Sequence, residues 1–239
     1  MIMKEGVLRI WRLGQMGLFA CEGQPSTRNL ENAVSFWKNA GCTQAFGPVS
    51  PGAADLQSGF CVWRAAEEPE LLAPGAAADE RAFLQCGFVP AGDSLAFRIP
   101  LPHIPERGGG EVVEGVTAEA CAQVMGAQTE QAHLALDAMR KMLDPAFCFT
   151  AYRNGPAGIL ICLRKRKQLR LLTLWSREDC RNGVVCVPML HALSRAAQRA
   201  GIDTVDAAQI PEGNPFSLRL ARRLGGREIG RYRQYKIEL

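Results

Sequence analysis

Between residues 171 and 190 an apolar run, Leu171–Trp175, leads through Arg181, Asn182 and Gly183 into a helix-period stretch that begins near Val185. A turn that leaves a strand and opens a helix aims free backbone N–H groups and the positive helix end at one point, which suits a phosphate. Gly183 would let the backbone come close to such an anion. Further on, Asn214 stands before a second helical stretch, where its side chain can cap the first N–H groups. Glu178, Asp179, Asp206 and Glu212 lie near predicted strand ends, where a carboxylate can act as a base. Metal chemistry has no matching pattern. The nine cysteines include no CxxC pair, and His103, His133 and His191 have no cysteine or carboxylate at ligand spacing. Cysteines embedded in apolar runs, such as Cys148 and Cys162, are expected to be reduced core thiols.

The net charge of +4 conceals an asymmetry. Residues 147–239 carry 17 Lys and Arg against 7 Asp and Glu, whereas the preceding residues carry 11 against 17. A basic half fits a polyanionic partner, either nucleic acid or the phosphates of a nucleotide cofactor, and also fits a solvated basic face. The basic turn Arg164–Lys167 has no interleaved aromatics, so it lacks the stacking platforms of a nucleic-acid groove. The longest apolar stretches fall far short of the roughly 20 residues of a membrane span. The opening residues lack the apolar core of a secretory signal, and the cytoplasm is the expected compartment.

These residues need elements to hold them. The run Pro100–Gly110 holds three prolines and three consecutive glycines, which neither a helix nor a central strand tolerates, and reads as a linker. The chain then divides into residues 1–101, a linker at 102–112, and residues 113–239. Before the linker a strand at Gln15–Cys21, a helix at Ser26–Ala40 and a strand at Cys42–Phe46 form a β-α-β unit. A helix around Asp79–Cys86 and a strand at Ser94–Ile99 follow. After the linker come two helices (Val116–Gly126 and Thr129–Met142) and three meandering strands (Phe147–Tyr152, Ala157–Leu163, Leu169–Trp175). A helix at Val185–Ala200, a strand at Thr204–Ala208, a helix at Pro215–Leu224 and a strand at Arg231–Glu238 complete the order. Antiparallel strands followed by a right-handed β-α-β crossover imply an α/β mixed sheet with helices on both faces.

The element order after the linker, with two segments of local wording, resembles the GNAT superfamily of acyl-CoA-dependent N-acyltransferases. One segment is LLTLWSREDCRNGVVCVPML at 171–190; the other is NPFSLRLARRLGG at 214–226, followed by RYRQY at 231–235. The front half also resembles this superfamily from its fourth strand onward, through Gly17–Cys21, Phe83–Phe88 and Asp93–Phe97. The whole is similar to larger bacterial GNAT-like proteins in which a truncated, degenerate copy precedes a complete one, and two mixed sheets joined near residues 100–112 are expected. The half-copy, short of its first helices and hairpin, would need the second copy or a partner in a homodimer to cover its sheet.

The resemblance implies transfer of an acyl group from acetyl-CoA or another acyl-CoA to a small amine. It places the co-substrate across Leu172, Thr173, Leu174 and Trp175 and the turn Arg181, Asn182, Gly183, Val184 and Val185, with Asn214 near the thiol end. A strand N–H around Leu172–Leu174 would stabilise the oxyanion. The position from which the superfamily often supplies a tyrosine acid is Ala221 here, and Phe83 in the front half. Tyr232, Tyr235 and Glu212 are the remaining catalytic candidates. A non-catalytic module that binds a CoA-type ligand or a protein is the alternative from another class, and nucleic-acid binding is a third.

Overall fold

The structure, a computed structural model, describes residues 2–5, 7–21, 24–49, 60–64, 80–101, 104, 110–126, 136, 143–180 and 184–239. It opens on three antiparallel strands, β1 (Ile2–Glu5), β2 (Leu8–Leu13) and β3 (Met16–Cys21), the last two joined at Gly14, whose φ of +60° favours glycine. β1 and β2 fall where the sequence suggested no room for a hairpin. Helix α1 (Thr27–Asn39) starts at a capping box in which Ser26 and Asn29 satisfy each other's backbone N–H, and it buries Leu30, Ala33 and Trp37 along one stripe. β4 (Gln44–Gly47) returns parallel to β3. β5 (Phe60–Arg64), α2 (Glu80–Gln85) and β6 (Val89–Pro100) follow.

β7 (Glu111–Glu114) is an edge strand just beyond the glycines read as linker. α3 (Ala118–Met125) begins where Thr117 accepts from Ala120 N and ends at left-handed Gly126. The second expected helix, at 129–142, lies almost wholly outside the described residues. β8 (Leu143–Tyr152), β9 (Pro156–Lys165) and β10 (Gln168–Ser176) form the expected meander. Its period of two divides the residues between cores: Phe147, Phe149, Leu160 and Cys162 enter one face, Cys148, Ile159 and Ile161 the other, under α3. α4 (Cys186–Arg199), β11 (Thr204–Pro211), α5 (Pro215–Arg223) and β12 (Arg227–Glu238) complete the chain. At the start of α5, Asn214 accepts from Ser217 N at 3.1 Å and Pro215 follows as the first helical residue.

All twelve strands belong to one sheet, ordered β1-β2-β3-β4-β12-β6-β11-β10-β9-β8-β7, with β5 also paired to β12. This corrects the expectation of two sheets. β6, from the first half, lies between β11 and β12; β12, from the second, lies between β6 and β4 with β5. The halves have exchanged their last strands. In this position each of these twelve-residue strands has ladder partners on both sides, so neither leaves a long edge open. The short first half is thus completed from within the chain. Arg98 of β6 and Asp206 of β11, directly opposed, form a part-buried ion pair at 2.9 Å. Arg233 of β12 holds both carboxylate oxygens of Asp93 in β6 at 2.7 and 2.9 Å and reaches Glu80 at 2.7 Å.

Among the described residues no helix is long and apolar enough to cross a membrane, and eight cysteines are free thiols, six of them buried.

Candidate functional site

β10 and β11 run parallel for three residue pairs only, Leu169 with Val205, Arg170 with Asp206 and Leu171 with Ala207. At that level both strands break step with their other neighbours: β10 bulges against β9 between Leu171 and Thr173, and β11 against β6 between Ala207 and Ile210. A bulge bends its strand, and here two bulges part the strands. Backbone groups of alternate residues face opposite edges of a strand. Every second residue of Leu172–Ser176 therefore turns its N–H and C=O toward a gap where β11 no longer supplies partners.

A cavity of about 150 Å³ fills the gap. Leu172, Thr173, Leu174 and Trp175 of β10 line one side and Gln209, Ile210 and Pro211 of β11 the other. Leu190 of α4 and Ser217, Leu220 and Ala221 of α5 form the floor, and Asn214 lines the end where α5 begins. β6 contributes Ile99 and Pro100, followed by Leu101 and Ile104. The cavity wall thus includes residues of the stretch read as a linker. Ile104 is tied to α4 through its carbonyl oxygen, which meets Nδ1 of His191. Among the described residues, Thr173, Gln209, Asn214 and Ser217 line the cavity with hydroxyl or amide side chains, and none of the described lining residues is ionisable.

Leu172–Trp175 and Asn214 are therefore brought together. Arg181, Asn182 and Gly183 lie outside the described residues. Val184 is half-buried, and Val185 directs its side chain into the core, 1% exposed. Val185 caps α4 without a side-chain bond, and the first turn carries no acidic residue, so the leading N–H groups of α4 keep their capacity for an anion. The thiol of Cys186 bonds to Ser176, and burial raises its pKa.

The acid and base candidates lie elsewhere. Tyr232 is buried opposite Ser94, and Tyr235 is fully buried among aromatic rings with its hydroxyl donating to Glu80 Oε1 at 2.9 Å; neither lines the cavity. Burial first, and the bond to Glu80 second, hold the Tyr235 phenol well above its ordinary pKa. Glu212 pairs with Arg231 at 3.3 Å, Asp179 with Arg177 at 2.7 Å and Asp206 with Arg98. Glu178 is exposed in the short 3₁₀ turn after β10. Ala221 lines the cavity with its side chain 2% exposed, and Gly226 packs so closely under it that an added Cβ would stand 2.6 Å from the Ala221 carbonyl oxygen.

The first half repeats this frame without the opening. β3 and β4 are parallel over Met16–Leu18, and Val49 N then donates to Phe19 O at 2.8 Å, prolonging the contact. Phe83, four residues before Gly87, takes the place that Ala221, four before Gly225, takes in the second half. Phe19, Phe83, Phe88 and Tyr235 meet with ring centroids 4.7–5.9 Å apart and fill the space.

Gln209 and the β6 wall had not been singled out from the sequence. The available signal for Gln209 was an amide side chain interrupting an apolar strand five residues before Asn214.

No family model matches the chain, and no curated protein matches it. Solved structures do. A GCN5-related N-acetyltransferase from Sphaerobacter thermophilus is similar over 97% of this chain and 76% of its own, with TM-score 0.63 and 14% identity. A tandem GNAT protein from the clavulanic acid biosynthesis pathway, without AcCoA, is similar over 97% of this chain and 78% of its own, with TM-score 0.66 and 11% identity. A GCN5-related N-acetyltransferase from Kribbella flavida covers 99% and 89%, with TM-score 0.54 and 13% identity.

Proposed function

For a chain with the GCN5-related N-acetyltransferase fold, we propose that the cavity between β10 and β11 binds an acyl-CoA and that the acyl group passes to an amine. The observation that carries this reading is the parting of β10 from β11, which leaves strand N–H and C=O groups over Leu172–Ser176 facing an apolar cavity. An arm built of amides and methylenes matches such a slot, because its amides replace the lost strand partner while its methylenes meet Leu174, Ile210 and Leu220. The uncapped start of α4, with Arg181, Asn182, Gly183, Val184 and Val185, would take the pyrophosphate, and Asn214 stands at the thiol end.

In the transfer the amine nitrogen attacks the thioester carbon, a C–N bond forms, the C–S bond breaks, and CoA leaves as thiolate. A β10 N–H in Leu172–Leu174 donates to the carbonyl oxygen as it gains charge. None of the described lining residues is ionisable, and in this scheme the amine proton leaves to water and water protonates the thiolate. Tyr232, Tyr235 and Glu212 take no part in this scheme.

The lack of an ionisable group among the described lining residues supports a second reading, a module that binds acyl-CoA without transferring from it. Calorimetry with acetyl-CoA, paired with thiol release in a panel of amines, tests both. Saturable binding with turnover supports the enzyme and binding without turnover supports the module. No binding removes both.

A further inference from the structure

Gln209 combines two costs at one position. Its φ is +61°, in the left-handed region that side chains other than glycine rarely adopt. The other described non-glycine residues with positive φ, Asn154 and Arg166, are exposed and sit in the hairpin turns between β8, β9 and β10, where that conformation is ordinary. Gln209 is 4% exposed and lies inside β11 at its bulge. Its Nε2 is buried and meets no hydrogen-bond partner among the described residues, although the residue lines the cavity. A buried donor left unmade is unfavourable, and strained backbone with an orphaned polar group collects at sites that bind something.

The chemistry narrows what could satisfy it. An amide nitrogen only donates, so the ligand atom must accept. The other side-chain amide in the wall, Asn214, is already committed through its oxygen to Ser217 N. The described lining residues are uncharged and mostly apolar, surroundings that favour a neutral acceptor over a charged one. We propose that Gln209 Nε2 donates to the acyl carbonyl oxygen of the bound thioester, making Gln209 the residue by which the cavity distinguishes an acylated from a non-acylated ligand. This rests on the acyl-CoA reading given above.

The test compares acetyl-CoA with S-ethyl-CoA, a thioether that keeps the pantetheine amides and lacks the acyl carbonyl, by calorimetry on the wild type, Gln209→Met and Gln209→Asn. The wild type should prefer acetyl-CoA by about tenfold, the scale of one buried hydrogen bond. Both variants should reduce that preference to less than about threefold while still binding S-ethyl-CoA. Gln209→Met should melt no lower than the wild type, since it removes a buried orphan donor without opening a void. Gln209→Asn keeps an amide that tolerates the left-handed conformation and is too short to reach the same atom. If the wild type binds both ligands equally, or if either variant keeps the preference, Gln209 does not read the carbonyl and the acyl-CoA reading stands alone. If the wild type binds neither, both fall together.

Discussion

Tyr235 of the last strand stacks on Phe83 of α2, ring centroids 4.7 Å apart and planes inclined by 20°. The pair occupies the place in the first half that corresponds to the open cavity beside Ala221 in the second. The exchange of phenylalanine for alanine at matched helix positions thus accompanies the difference in strand parting: rings fill the first half, while the bulged strands of the second leave a cavity beside Ala221. Calorimetry with acetyl-CoA should accordingly give one site per chain. Phe83→Ala should cost about 3–5 kcal/mol of stability by equilibrium urea unfolding, the range for emptying a buried aromatic position.

Tyr235→Phe separates packing from chemistry. The ring stays in its stack while the hydrogen bond to Glu80 is lost, which should cost about 1 kcal/mol. Acyl transfer, followed by thiol release, should be unchanged, because Tyr235 lies in the aromatic core rather than in the cavity wall.

Ala221→Leu places a larger side chain against the cavity. Adding methylenes to a full core usually costs about 1–3 kcal/mol, but here the added atoms have about 150 Å³ of space beside them. The unfolding midpoint should move little, while the affinity for acetyl-CoA should fall by at least about tenfold, the scale expected when a binding slot is obstructed. A large loss of stability with affinity retained would place the ligand elsewhere.

The Asp93–Arg233 pair predicts how stability depends on acid. The hydrogen bonds from Arg233, more than its charge alone, hold the Asp93 carboxyl below its ordinary pKa. A carboxylate whose folded pKa is depressed contributes stability that is complete above the unfolded value of about 3.9. That contribution is lost as pH falls from there through the lower folded value. Urea unfolding from about pH 6 down to about pH 2 should show the wild type losing stability over this window, and Asp93→Asn should show a shallower loss from a lower starting point.

Local signals in the sequence read well where neighbouring residues carry them. Thr117 and Asn214 cap the helices expected to follow them, and the meander expected over 147–175 is present, its first strand starting earlier, at Leu143. The errors concern pairing. Alternation in β6 or β12 says that a strand exists and which side faces inward, but nothing in it names the neighbour across the hydrogen bonds. Tyr235 shows the same limit: a tyrosine in a last strand is legible as a packing residue or as an acid candidate, and its stacking partner, Phe83, is known only from the fold. Gln209 was missed because its significance lies in backbone conformation and in the lack of a partner, neither of which a residue type announces.

The exchanged strands also affect how the chain is made. β4 and β5 meet their partner only when residues 227–238 have left the ribosome, more than 160 residues after β5 is synthesised. Until then the nascent first half holds an open sheet edge beside Phe19, Phe83 and Phe88 without the ring that covers them. Folding is therefore committed late and at long range, which slows it and gives chaperones a defined interval in which to act.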